Sequence, residues 1–99
     1  MASPPMERWI SALLAAKAAE ADAARNTQLA YGRDLMDFAA YLAGKGQHFA
    51  TADRAAVEAY LVRCEAEGLS KATRARRLSS IRQLYRFAHE EGWREDNPA

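Results

Sequence analysis

The sequence predicts an all-α chain folded as a bundle of four helices. The 99 residues are 49% hydrophobic, with many alanines, five glycines, three prolines and hardly a β-branched run, and this composition favours helices over strands. Apolar residues recur at the three- and four-residue spacing of amphipathic helices in four separate segments. Capping residues and glycines separate these segments. We therefore expect one domain, spanning residues 1–99, with short loops and a small core.

The first helix is predicted to start at Ser3, an N-cap placed before Pro4, and to fade near Glu20. Its residues at the spacing of one helix face are apolar: Met6, Trp9, Ile10, Leu13 and Leu14. This face is predicted to enter the core.

The second helix is predicted to begin at Asn26 and Thr27, which are suited to cap it, and to end at Gly44 and Gly46. Its apolar stripe consists of Tyr31, Leu35, Phe38 and Leu42.

The third helix is predicted to begin at Thr51, as its cap, and to end at Gly68, where a left-handed residue is wanted. Its buried face is predicted to contain Val57, Tyr60, Leu61 and Cys64. Because Cys64 is the only cysteine, an intramolecular disulfide is excluded, and we interpret this thiol as part of the core.

The fourth helix is predicted to run from a cap at Ser70 to Gly92, a length of about 30 Å. Its apolar half contains Leu78, Ile81, Leu84, Tyr85 and Ala88. A helical wheel places the polar residues on the other half: Thr73, Arg76, Ser79, Ser80, Gln83 and Arg86. This half is suited to phosphates and base edges, whereas Arg74 and Arg77 are predicted to lie at the edge of the core.

Charge is distributed unevenly along the chain. Residues 1–69 hold seven Lys or Arg against nine Asp or Glu, and residues 90–99 hold one against four. The segment between them, from Ser70 to His89, holds six basic residues and no acidic residue: Lys71, Arg74, Arg76, Arg77, Arg82 and Arg86. A basic segment in an otherwise acidic chain is typical of a protein that meets a polyanion on one face.

Two motifs resemble those of the tyrosine recombinases of the Xer and phage integrase family. Residues 26–35 (NTQLAYGRDL), with Phe38 and Leu42 beyond them, are similar to the second helix of that family's N-terminal core-binding domain. Residues 69–73 (LSKAT) and 77–87 (RLSSIRQLYRF), followed by Gly92 and Asn97-Pro98, are similar to its fourth helix and exit segment. The resemblance covers nearly the whole chain.

The resemblance implies a four-helix SAM-like domain that clamps one side of double-stranded DNA through its second and fourth helices. The implied contacts from the second helix are Asn26 and Thr27, near a phosphate, and Arg33. Those from the fourth helix are Lys71, Thr73, Arg76, Ser79, Ser80 and Arg82. Gly32 departs from the family, whose members often carry a charged or polar residue there.

The resemblance also implies what a fragment of such a protein would lack. The family's chemistry needs a tyrosine nucleophile with Arg, Lys and His partners, and neither His48 nor His89 is followed by an arginine three residues later. The four tyrosines are interpreted as structural, because three fall on apolar faces and Tyr41 is expected to have no clustered basic partners. We therefore expect no catalytic residue here, and a catalytic domain after Ala99 in the full-length protein.

That full-length protein is expected to cut and rejoin DNA, in DNA integration or chromosome dimer resolution, together with other recombinase protomers in a tetrameric synapse. No cofactor is expected. Two histidines and one cysteine are too few for a zinc site, so no metal is expected either. No apolar run approaches the length of a membrane span, and the first residues lack a signal-peptide pattern, so the chain is expected to be cytoplasmic.

Two other functions remain open from the residues alone. One is a free-standing helix-turn-helix DNA-binding regulator, with residues 68–70 as the turn and the fourth helix as the recognition helix. That helix is long for such a role. The other is a protein-interaction bundle whose basic helix meets an acidic partner.

Overall fold

The computed structural model describes residues 4–19 and 25–99. In these residues the chain forms four helices and no strand: α1 (Met6–Ala18), α2 (Arg25–Gly44), α3 (Arg54–Ala66) and α4 (Lys71–Glu90). The prediction of an all-α four-helix chain is confirmed. Ser3, the predicted cap of α1, and Glu20, its predicted end, lie outside the described residues. No helix within the described ranges is both long enough and apolar enough to cross a membrane.

The core is formed by most of the residues in the predicted apolar stripes and by Phe49 and Ala52 of the loop before α3, whereas Met6, Leu14, Tyr31, Leu61 and Leu78 of those stripes are only half-buried. Trp9 lies at its centre, fully buried, with its ring centroid 5.6 Å from that of Phe49, 6.3 Å from that of Tyr85 and 5.4 Å from that of Trp93. The remaining fully or almost fully buried apolar residues come from every helix and from the loop before α3: Ile10, Leu13, Leu35, Phe38, Leu42, Ala52, Ala56, Val57, Tyr60, Cys64, Ile81, Leu84 and Ala88. Burying each large side chain stabilises the fold by about 1.5–3 kcal/mol.

The predicted cap of α4 is confirmed, and the predicted caps of α2 and α3 are wrong. Ser70 caps α4, where its hydroxyl accepts a hydrogen bond of 3.1 Å from the Thr73 backbone N–H. α3 is capped by Asp53, which accepts from the Ala56 N–H at 2.9 Å, whereas Thr51 accepts from the His48 N–H inside the preceding loop.

α2 begins at Arg25, so its predicted caps lie inside the helix. Asn26 and Thr27 are in the first turn and exposed. The predicted end of α2 at Gly44 is confirmed, and the following turn uses Gly46 at a φ of 68°.

Polar side chains join α2 to α4 in antiparallel register. Each step of three residues forward on α2 is matched by a step of three back on α4, in the pairs Tyr31 with Gln83, Asp34 with Ser80, and Asp37 with Arg77. These two helices carry every residue that the sequence analysis assigned to a DNA surface.

Candidate nucleic-acid interface

Ion pairs neutralise four of the six basic residues on α4. Their partners are acidic residues of α2, α3 and the end of α4, and the pairs are Arg74 with Glu65 at 3.2 Å, Arg76 with Asp34 at 3.0 Å, Arg77 with Asp37 at 2.7 Å, and Arg86 with Glu90 at 3.5 Å. The positive charge that the sequence segment suggests is therefore partly cancelled in the folded chain. A count along the chain misses this, because most of the acids come from other helices.

Lys71 and Arg82 are the two α4 cations that form no ion pair or side-chain hydrogen bond in the described part of the chain. Both are exposed, and their separation of eleven residues places them on one side of the helix, about three turns apart. Ser79 is also exposed on this helix. These groups are free to meet a polyanion without breaking a contact within the domain.

Arg76 is held by a buried carboxylate of α2. Its Nε donates to Asp34 Oδ2 at 3.1 Å and its Nη2 donates to Asp34 Oδ1 at 3.0 Å. These bonds raise the pKa of the Arg76 guanidinium. The side chain of Asp34 is 2% exposed, whereas that of Arg76 is 51% exposed. Arg76 therefore lies at the boundary between the packed interface and solvent.

The placement of Ser80 on the solvent face is wrong. Ser80 is 1% exposed, and its hydroxyl donates to Asp34 Oδ2 at 3.1 Å. The physical reason is that α2 packs over this edge of α4, and a wheel drawn for one helix does not contain its neighbour. Ser80 is thus a packing residue that completes the shell of Asp34, and its hydroxyl is not available to DNA.

Arg77 and Arg74 lie at the core edge, as predicted. Arg77 is 19% exposed and its Nη1 donates to Asp37 at 2.7 Å and to the Tyr60 hydroxyl at 2.9 Å. Burial, followed by the hydrogen bond to Asp37, raises the pKa of the Tyr60 phenol. Arg77 therefore links three helices through its Nη1.

Two other polar residues of the fourth-helix set are partly engaged. Thr73 is half-buried in the first turn of α4, and its hydroxyl oxygen accepts from Ser70 at 3.0 Å. Gln83 is half-buried and donates to the Tyr31 hydroxyl at 3.0 Å.

On α2, Asn26, Thr27 and Arg33 are all exposed. Asn26 and Arg33 are seven residues apart and so share a face of the helix. Arg33 forms no ion pair among the described residues, and it stands next to Asp34 in the chain. α2 thus adds exposed cations without an ion pair among the described residues, Arg33 among them, to the free groups of α4.

The tyrosines pack within the domain. Tyr60 and Tyr85 are buried, and Tyr31 and Tyr41 are half-buried. The statement that Tyr41 has no clustered basic partners is wrong: Lys45 and Arg63 lie over its ring, at 5.9 and 5.3 Å from the centroid. These cations contact the ring face, which is a packing arrangement.

Asp34 is the residue that sequence reasoning missed. Its position next to the apolar stripe of Tyr31, Leu35 and Phe38 could have indicated a buried ion pair. A carboxylate that is buried beside such a stripe needs a partner. Among the described residues, no three His, Cys, Asp or Glu side chains come together as a metal site would require.

Sequence comparisons place this geometry among known proteins. The profile of the family described as phage integrase, N-terminal SAM-like domain, matches residues 6–92. Tyrosine recombinase XerD of Caulobacter vibrioides is 48% identical over 93 residues, which cover 94% of this chain and 30% of that protein. The XerD proteins of Agrobacterium fabrum and Bradyrhizobium diazoefficiens are 40% and 44% identical over 90% and 83% of this chain, and 27% and 26% of their own lengths. The chain thus spans less than a third of these relatives.

Proposed function

Because this chain belongs to the family of phage integrase N-terminal SAM-like domains, we propose that it is the DNA-binding, core-binding domain of a tyrosine recombinase. The observation that carries the proposal is the presence of exposed cations without an ion pair among the described residues on the two helices that pack together, including Arg33 on α2 and Lys71 and Arg82 on α4. Basic side chains of this kind bind phosphates, which supply most of the affinity of a protein for DNA.

The proposed DNA surface consists of the residues predicted from the sequence, except one. Ser80 is excluded from this surface, because it is buried and its hydroxyl donates to Asp34. The remaining members are Asn26, Thr27, Arg33, Lys71, Thr73, Arg76, Ser79 and Arg82. In this surface Arg33, Lys71 and Arg82 provide charge, and Asn26 and Thr27 lie near a phosphate.

The domain binds one side of a duplex and performs no chemistry of its own. In the full-length recombinase, a catalytic domain closes on the other side, and cutting and rejoining of DNA take place with other protomers in a tetrameric synapse in the cytoplasm. Residues 1–99 act as the single core-binding domain of that protein. The family profile covers α1 to α4 together, and this supports the core-binding domain over a free-standing helix-turn-helix regulator.

The test is binding to a labelled mixed-sequence duplex, followed by fluorescence anisotropy at several salt concentrations. We expect modest affinity with little sequence preference, and a shallow negative slope of log affinity against log salt, because only a few phosphates are contacted. Lys71→Ala and Arg82→Ala should each weaken binding and reduce that slope by about one, with unchanged thermal midpoints.

The matched control is Arg8→Ala, which removes an exposed arginine from α1, outside the proposed surface. It should weaken binding less than either α4 variant. Equal losses of affinity in all three variants would mean that binding depends only on the net charge of the domain. Absence of duplex binding, or binding whose salt slope does not follow the number of phosphates, would overturn the proposal and favour an acidic protein partner.

A further inference from the structure

The ion pair of Arg76 with Asp34 uses one edge of the guanidinium, and the other edge has no acceptor among the described residues. Nε and Nη2 donate to the two carboxylate oxygens of Asp34, and no described residue accepts from Nη1. A two-point pair of this kind fixes the plane of the guanidinium as well as its position. Because the side chain is half-exposed, the two N–H donors of Nη1 remain available at the surface.

The neighbouring arginine shows that Asp34 has other partners. Arg77 Nε lies 3.8 Å from Asp34 Oδ1, and the Ser80 hydroxyl donates to Oδ2. A buried carboxylate needs a cation and hydrogen bonds, and these two residues offer both. Arg77 directs its Nη1 to acceptors inside the domain, whereas Arg76 keeps an outward edge. Arg76 thus combines a fixed head group with an unused pair of donors.

We propose that Asp34 is a positioning residue for DNA binding, which holds Arg76 so that its Nη1 edge donates to a phosphate of the duplex. This inference rests on the proposed function and adds a residue that contacts no DNA itself. An arginine fixed before binding loses less side-chain freedom when the phosphate arrives, so more of the interaction appears as affinity. The buried carboxylate lies behind the guanidinium and so does not face the duplex.

For Asp34→Asn, the positioning role predicts a change in DNA affinity opposite in sign to the change that net charge alone predicts. Asp34→Asn raises the net charge of the domain by one, and added positive charge alone strengthens DNA binding. If Asp34 positions Arg76, the same substitution weakens binding, because an amide cannot accept from both Nε and Nη2. Glu65→Gln is the matched control, since it makes the same charge change and releases Arg74 on the same helix.

The experiment measures duplex affinity and salt slope for Asp34→Asn, Arg76→Ala, the double variant and Glu65→Gln, with thermal midpoints in parallel. Arg76→Ala should weaken binding about tenfold, the value of one hydrogen bond to a charged group. Asp34→Asn should weaken it several-fold and add nothing in the Arg76→Ala background. Glu65→Gln should bind as well as or more tightly than the unaltered chain.

Arg76→Lys keeps the test decisive if Asp34→Asn fails to fold. Lysine retains the charge but cannot make the two-point pair, so positioning predicts a loss close to that of Arg76→Ala. Arg82→Lys, at a cation without a partner, should cost much less. Unchanged or tighter binding of Asp34→Asn, or binding of Arg76→Lys equal to the unaltered chain, would overturn the inference.

Different variants test the DNA surface and the role of Asp34. Weaker binding of Lys71→Ala and Arg82→Ala, with no effect of Asp34→Asn or Arg76→Lys, would leave the DNA surface standing and remove only the role of Asp34. Absence of binding by the unaltered domain would instead overturn the proposed function.

Discussion

The hydroxyl of Tyr60 on α3 donates a hydrogen bond of 2.6 Å to the carboxylate of Asp37 on α2. Arg77 of α4 completes the group, since its Nη1 donates to both of these residues. One phenol, one carboxylate and one guanidinium therefore connect three helices. The group lies at the core edge, where Tyr60 is buried and Asp37 remains half in solvent.

Removal of the Tyr60 hydroxyl is expected to destabilise the domain. Tyr60→Phe keeps the ring in the core and deletes one hydrogen bond to a charged group, so we expect a loss of about 1–2 kcal/mol in the free energy of unfolding. Urea denaturation measures this value. Tyr41→Phe is the control, since no described residue bonds the Tyr41 hydroxyl, and it should change the free energy by less than about 0.5 kcal/mol. Equal effects of the two substitutions would contradict the role of the Tyr60 hydroxyl.

Alkaline pH is expected to destabilise the domain through two buried phenols. Burial raises the pKa of both Tyr60 and Tyr85 above the ordinary tyrosine value of about 10. The unfolded chain therefore releases these protons at a lower pH than the folded chain. Their contribution to stability is fully present below pH of about 10 and is lost as the pH rises further, towards the folded-state pKa values.

Urea midpoints measured from pH 8 to pH 11 test this dependence. The midpoint should be nearly constant at the lower values and should fall steeply above pH of about 10. In Tyr60→Phe the fall should be shallower, because one of the two phenols is absent. An equally steep fall in that variant would show that other groups cause the loss.

The helices and their buried faces could be predicted from the sequence because they depend on local patterns. The stripe of α4 at Ile81, Leu84 and Tyr85 is buried as its spacing predicts, and Gly68 takes the positive φ that its position at the end of α3 requires. The caps were harder to predict. Thr51 and Asp53 are two residues apart and both can cap a helix, but the Thr51 hydroxyl accepts from His48 within the preceding loop and Asp53 caps α3.

The site could be predicted only in outline. The basic segment of α4 is visible in the sequence, but only Lys71 and Arg82 of it form no ion pair among the described residues, because acids brought by the fold pair with the others. The partners of Arg76 and Ser80 are 42 and 46 residues away in sequence. Pairing over such distances is a property of how α2 packs on α4, and no pattern within either helix contains it.

Gly32 is expected to tolerate a methyl group. It is buried in α2, where an added Cβ would lie 3.2 Å from Leu14 Cδ1 of α1. Leu14 is half-buried and the atom is the end of a flexible side chain, so a small rotation relieves the contact. Because alanine is about 1 kcal/mol better than glycine inside a helix, Gly32→Ala should raise the free energy of unfolding by about 0.5–1 kcal/mol. Urea denaturation provides the measurement.

Gly44→Ala separates helix preference from the contact with Leu14, the two contributions to the effect of Gly32→Ala. Gly44 ends α2 with no atom within 4 Å of an added Cβ, so its substitution reports helix preference without a packing contact. A destabilised Gly32→Ala beside a neutral or stabilised Gly44→Ala would mean that Leu14 cannot move. In that case the close approach of α1 and α2 requires glycine.

Arg94 is expected to hold the chain after α4 against the core. Its Nη1 donates to the Phe49 carbonyl at 2.8 Å, its Nε donates to Asp96 at 2.6 Å, and its guanidinium lies 5.1 Å from the centre of the Tyr85 ring. The side chain is only 11% exposed. Arg94→Ala removes these contacts and leaves the Phe49 carbonyl without this donor, so we expect a loss of about 2–3 kcal/mol in the free energy of unfolding.

Hydrogen exchange distinguishes a local from a global effect of that substitution. If Arg94 fixes the exit segment, amide exchange in residues 95–99 should accelerate in Arg94→Ala under conditions where the helices remain protected. Arg54→Ala removes an exposed arginine that pairs with Glu58 four residues later, and it should change the free energy by less than about 0.5 kcal/mol. If Arg94→Ala behaved like Arg54→Ala in both measurements, Trp93 and the buried Pro98 would suffice to dock the segment. The position of residues 95–99 would then not depend on Arg94.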